Sequence, residues 1–140
     1  MKEYMENRIN LNTIFEYQFR FSQKDVIAFA EVTGDINPIH LDEEYAKNTP
    51  FKGRILHGFL GASVFSKVFG TLFPGEGTIY LKQNISFFKP MFADKKYTAI
   101  FTIKEIFSQK NRALVKTEIM NSEKAVVISG EALIMHKNIY

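Results

Sequence analysis

Hydrophobic residues recur along this 140-residue chain with two different periods, and the changeover falls near Pro74-Gly75. Thr13 to Phe21, TIFEYQFRF, mixes branched and aromatic residues with polar alternation and predicts a first strand. SQKDVIAFAEVTG then turns helical. Ser22 and Asp25 form a capping-box-like start, Val26, Ile27, Phe29 and Ala30 give one apolar face, and Gly34 ends it. Asp42 is placed to cap a short helix, EEYAKN, that stops near Pro50. The most apolar stretch follows. From Gly58 to Phe73 the single charge is Lys67 and apolar side chains occur on every side, so this helix should be enclosed by protein. Pro74 and Gly75 stop it.

Everything downstream reads as strands. GTIYLKQNISFF alternates, with Ile79, Leu81, Ile85 and Phe87 expected on one face, and KPMFAD breaks it. Tyr97, Ala99, Phe101 and Ile103 line one side of the next strand, which turns at Ser108 to Asn111. RALVKTEIM answers it, turns at Asn121 to Lys124, and AVVISGEALIMH closes the run. Long alternating strands joined by short turns form an antiparallel meander. Such a sheet has one face to bury, and the apolar helix needs burial on most sides. The economical arrangement is a curved sheet wrapped around that helix. The expected class is therefore α+β with the architecture called the hot-dog fold, in one domain spanning 1–140.

Composition narrows the function. The chain has no cysteine, which removes disulfides and thiolate zinc sites. Its opening segment, MKEYMENRINLN, lacks the apolar stretch of a secretory signal, and no apolar run approaches the roughly 18 residues of a membrane span. A cytoplasmic protein without membrane attachment is expected. Net charge is +3, and the basic residues are scattered, so no nucleic-acid partner is expected. This mild positive charge suits a phosphate-bearing small molecule or an acidic carrier protein. Fourteen phenylalanines and no tryptophan point to a core of large flat side chains or a greasy ligand slot.

The candidate chemistry sits in TGDINPIH, Thr33 to His40. Taken alone, this is a turn: Asp and Asn favour turns and Pro fixes the backbone. Three features add to that. Pro38 and its restricted predecessor Asn37 stiffen the link between Asp35 and His40. Asn37 adds an amide able to orient a water or a side chain. The apolar helix begins at His57-Gly58, and unpaired amides at a helix start favour a developing anion. A base, an acid and an anion-stabilising amide are the parts needed to add water across a double bond conjugated to a carbonyl. His57 reads either as a hydrogen-bonding residue at the helix start or as support for the pair. His136, Lys52 and Arg54 read as structural or solvated.

FAEVTGDINPIHLDEEYA, Phe29 to Ala46, resembles the signature of the MaoC-like, or type 2, (R)-specific enoyl-CoA hydratases. RILHGFLGASVFSKVFG and PGEGTIYLKQNISFFKPMFADKKYTA resemble the same family's helix and following strand. Ala93-Asp94 departs from the Gly-Asp common in relatives, at a turn. The resemblance implies a homodimer or higher homo-oligomer of hot-dog subunits. It would hydrate trans-2-enoyl thioesters reversibly to (R)-3-hydroxyacyl thioesters, with coenzyme A or acyl carrier protein as carrier and no metal or other cofactor. It also implies that Asp35 and His40 are the catalytic pair, Gly58 the oxyanion amide, Ser66 a serine near the active site, and Asn37 a supporting residue. Asp35 is favoured as base and His40 as proton donor, with a shared or reversed assignment left open. A 3-hydroxyacyl-carrier dehydratase is the alternative reading. A thioesterase is disfavoured because Gly58 to Gly75 contains no acidic residue, and a non-catalytic acyl-thioester binding protein is the rival of a different class.

Overall fold

The computed structural model describes residues 9–140. Most of the opening segment read above as free of a signal lies before residue 9, outside the described residues. Strand β1 is Ile14–Phe19. Three helices follow: α1 Gln23–Thr33, α2 Pro38–Leu41 and α3 Glu43–Lys47. The apolar helix is α4, Gly58–Thr71, and strands β2 Ile79–Phe87, β3 Tyr97–Phe107, β4 Arg112–Met120 and β5 Val126–Met135 complete the chain. All pairings are antiparallel in one five-stranded sheet of order β1-β3-β4-β5-β2.

Local signals act where the sequence places them. The Ser22 hydroxyl accepts from the Asp25 N–H, and the Asp25 carboxylate accepts from the Ser22 N–H, closing the capping box of α1. Gly34 ends α1 at φ 79°, a left-handed conformation that glycine adopts without a Cβ penalty. The Asp42 carboxylate caps α3 by accepting from the Tyr45 N–H. At Ala93-Asp94 the positive φ falls on Asp94, at 61°, so Ala93 itself meets no backbone strain.

The sheet packs its concave face on α4, the hot-dog arrangement. Ala99, Phe101 and Ile103 of β3, Val115 and Ile119 of β4, and Ile128, Ala132 and Ile134 of β5 form one buried cluster with Leu60, Val64, Phe65, Val68 and Phe69 of α4. Phe101 is its hub, edge-on to Phe65 at 5.7 Å and to Phe69 at 5.2 Å.

Two expectations need correction. In β2 the sheet register shifts between Tyr80 and Lys82, leaving Leu81 as an extra residue. Pairing then puts Tyr80, Gln83, Ile85 and Phe87 opposite Ile134, Ala132, Gly130 and Ile128, so these share the helix face, while Ile79 pairs with Met135 on the outer one. A bulge reverses side-chain parity, and alternation alone cannot register it. The apolar helix is also not enclosed within a single chain. Phe59 is 69% exposed, and Ser63, Ser66 and Gly70 on the same side are exposed as well. One sheet covers roughly half of a helix; the other half waits for a second partner.

Candidate active site

Asp35 and His40 meet because the chain between them folds into a tight, internally bonded turn. Thr33 Oγ1 accepts from the Asp35 N–H at 3.2 Å, and Asp35 Oδ1 accepts from the Asn37 N–H at 3.4 Å. The Asn37 side-chain oxygen caps α2 by accepting from the Ile39 N–H, with Pro38 at the first helical position. This one-turn helix was not anticipated from the sequence, and Asn37 spends its oxygen on it. His40 is thus carried on a helix of four residues. The Gln23 amide of α1 fastens that helix by donating to the His40 carbonyl at 2.8 Å.

His40 is buried, and its Nδ1–H donates to the Ile55 carbonyl at 2.8 Å. A carbonyl only accepts, so the proton sits on Nδ1 and the Nε2 lone pair is free. Burial holds the His40 pKa below its ordinary 6.5; the bond to Ile55 opposes the shift, His57 reinforces it, and Asp35 opposes it. Asp35 is exposed. Its carboxylate and one ring nitrogen from each of His40 and His57 lie within 4.8 Å of one another. At that separation both groups can bond one and the same small polar molecule.

The third part lies at the start of α4. His57, the N-cap residue, makes no side-chain cap bond, and the Gly58 N–H has no partner among the described residues. A Cβ on Gly58 would meet the Phe87 ring at 2.7 Å, so the backbone and that ring can touch only because the residue is glycine. His40, His57 and Gly58 line a pocket of about 490 Å³ whose remaining wall is largely apolar, including Phe51, Phe59, Phe87, Phe88 and Met91, with Lys89 as its cation.

The structure therefore brings together Asp35, His40, Gly58 and His57, with Asn37 supporting the turn. Ser66 stands apart: it is exposed on the open side of α4, eight residues or roughly 12 Å along the helix from Gly58. His136 is structural, with Nε2–H donating to the Glu76 carbonyl and Nδ1 accepting from the Asn138 N–H. Arg54 pairs with Glu43 at 3.0 Å. Lys89, Phe88 and the Ile55 carbonyl went unnoticed in the sequence, because nothing local marks residues that a fold delivers to a pocket from other segments. One ring nitrogen of each imidazole already donates to a main-chain carbonyl, His40 Nδ1–H to Ile55 and His57 Nε2–H to Asp35, and the two rings stack 3.9 Å apart, 29° from parallel.

Comparison with known proteins shows the family. The model of the MaoC like domain matches residues 5–126. The (R)-specific enoyl-CoA hydratase of Aeromonas caviae is 39% identical over 115 residues, covering 82% of this chain and 86% of the relative. The 3-hydroxybutyryl-CoA dehydratase of Methylorubrum extorquens is 39% identical over 113 residues, covering 81% and 71%. The solved structure of the Aeromonas caviae (R)-hydratase superposes with a TM-score of 0.87 at 35% identity, over 91% of this chain and 96% of that one. With its fold, its turn and its family match in agreement, the chain belongs to the MaoC-like domain family.

Proposed function

We propose that this protein is a hydro-lyase that adds water to trans-2-enoyl-CoA to give (R)-3-hydroxyacyl-CoA, and catalyses the reverse dehydration. The observation that carries the reading is the meeting of the Asp35 carboxylate and a His40 ring nitrogen within 4.8 Å, with His40 lining the same pocket as the open Gly58 N–H. Hydration needs three things at once: a proton acceptor for water, a donor for C2, and a partner for the charge that builds on the thioester oxygen.

The hydrogen bonding of His40 favours the reversed assignment of the pair. Its free Nε2 accepts a proton from the bound water, and the Asp35 carboxylate accepts the water's other hydrogen and aims its oxygen at C3. As the C–O bond forms, the double-bond electrons move toward C2 and the thioester oxygen takes negative charge, which the Gly58 N–H receives. The imidazolium, steadied by Asp35, then returns its proton to C2. One water has been added and the enzyme is restored. Positioned acid–base groups contribute about 10²–10⁴-fold, and an oxyanion donor about 10²–10³-fold.

A homodimer fits the open surface. The edge strand β2 exposes Ile79, Tyr80, Leu81 and Phe87, and the exposed side of α4 adjoins it. An unpaired apolar edge beside an uncovered helix is what a second copy would bury. No described helix is long and apolar enough to cross a membrane.

The test is loss of absorbance at the enoyl band with crotonyl-CoA and with the same acyl group on acyl carrier protein, with product chirality determined. The expected result is (R)-3-hydroxybutyryl thioester, and a fall of about 10²–10⁴-fold in turnover for Asp35→Asn and for His40→Gln. Parental rates in both variants would refute the mechanism, and thiol release without hydration would indicate a thioesterase.

A further inference from the structure

His57 touches every part of the site. Its Nε2–H donates to the Asp35 main-chain carbonyl at 2.9 Å. Its ring stacks on His40 at 3.9 Å and packs against Phe29 at 4.7 Å. It is 2% exposed and is the residue from which α4, and with it the Gly58 amide, starts. These contacts tie together three segments distant in sequence. The turn carrying Asp35, the one-turn helix carrying His40 and the apolar helix all meet at one imidazole.

Chemistry fixes which imidazole form does this. The Asp35 carbonyl only accepts, so the ring proton is on Nε2. Nδ1 is buried with no hydrogen-bond partner among the described residues. An ordinary structural residue would satisfy this spot more cheaply, since leaving a buried acceptor unpaired is unfavourable. The ring carries that stability penalty, and apart from Phe29 its contacts lie on the acid–base pair.

Resting on the hydratase reading, we propose that His57 is a positioning residue of this site: its Nε2–H tautomer clamps the Asp35 backbone while its ring sets the plane of the His40 imidazole. It touches no reacting atom and acts through the other two. The titratable groups facing the stacked rings are Asp35 and the rings themselves, with Lys89 on the pocket wall.

Two substitutions separate the contacts. His57→Phe keeps a ring and removes the donor; His57→Gln keeps a donor and removes the ring. In variants folded by circular dichroism, kcat for crotonyl-CoA hydration should fall about 10- to 100-fold, the scale of a slightly misplaced acid–base group, while KM stays within about threefold. The acid limb of the kcat profile should also move, because the His57 ring lies directly on His40 and is one of the groups that set the His40 pKa. Parental kcat and an unmoved limb in a folded variant would overturn the proposal, as would a change in KM alone. Nitrogen-15 NMR of the imidazoles in the parental protein needs no variant. It should show His57 protonated at Nε2 throughout the active pH range, and an Nδ1–H tautomer or rapid exchange between the two would refute the clamp. Absence of hydration by the parental protein would instead refute the activity itself, leaving the two failures distinguishable.

Discussion

His40 shows how one side chain's surroundings set its chemistry. Burial disfavours the imidazolium, and the bond to the Ile55 carbonyl assigns the remaining proton to Nδ1. The sign of the pH dependence follows. A histidine pKa lowered on folding favours the native state above the unfolded value of 6.5, and that stability is lost as pH falls through the folded value. The same neutral form is the one that accepts a proton from water. The acid limb of kcat/KM for hydration is therefore expected below pH 6.5, and a limb above it would contradict the assignment. Since Asp35 raises the His40 pKa, Asp35→Asn should move the His40 midpoint, followed by NMR, further down. Gly58 is constrained by contact instead. Gly58→Ala drives a methyl into the ring of the half-exposed Phe87, which can swing aside, and should destabilise by no more than about 1 kcal/mol in chemical denaturation, an effect that Phe87→Leu in the same chain should relieve.

Caps decide where the short helices begin, and two of them can be set against each other. Asn37 caps α2, which carries His40, whereas Ser22 caps α1, whose first residue, Gln23, bonds the His40 carbonyl but does not start its helix. Replacing either by alanine should cost about 1 kcal/mol. The expected difference is in turnover: Asn37→Ala lowers kcat because the helix it starts aims an imidazole, and Ser22→Ala leaves kcat within about twofold. Thermal unfolding and hydration rates on the same two variants check this, and equal turnover would mean that α2 holds its shape without its cap. The capping box, Gly34 and Asp42 were legible because caps are local chemistry. The α2 turn was hidden because a helix of four residues has no periodicity to read, and the β2 bulge because alternation looks the same on either side of a slipped residue.

The chain leaves one long side of its apolar helix and one sheet edge uncovered. A single subunit would expose Phe59, Ile79 and Phe87 together, a poor surface for a soluble monomer. Sedimentation equilibrium should give a mass at least twice the 16.2 kDa of the chain. Ile79→Lys, placing a charge on the exposed edge strand, should shift the population toward monomer, and a parental protein that sediments as a monomer would remove the dimer from this account. Ser66 lies on that same uncovered side, so its surroundings in an assembly would differ from those in one chain.

Periodicity, caps and turn residues are near-neighbour properties, and they carried the strands, three of the four helices, the enclosing sheet and the motif from Gly34 to His40. Distances between remote segments are another matter. That His57 stacks on His40, that Ile55 chooses the imidazole tautomer, that Phe87 demands a glycine at 58 and that Lys89 reaches the pocket all depend on how β2 and α4 close on the Asp35 turn. Those contacts join residues whose order in the chain says nothing of their separation in space, and packing alone brings them together.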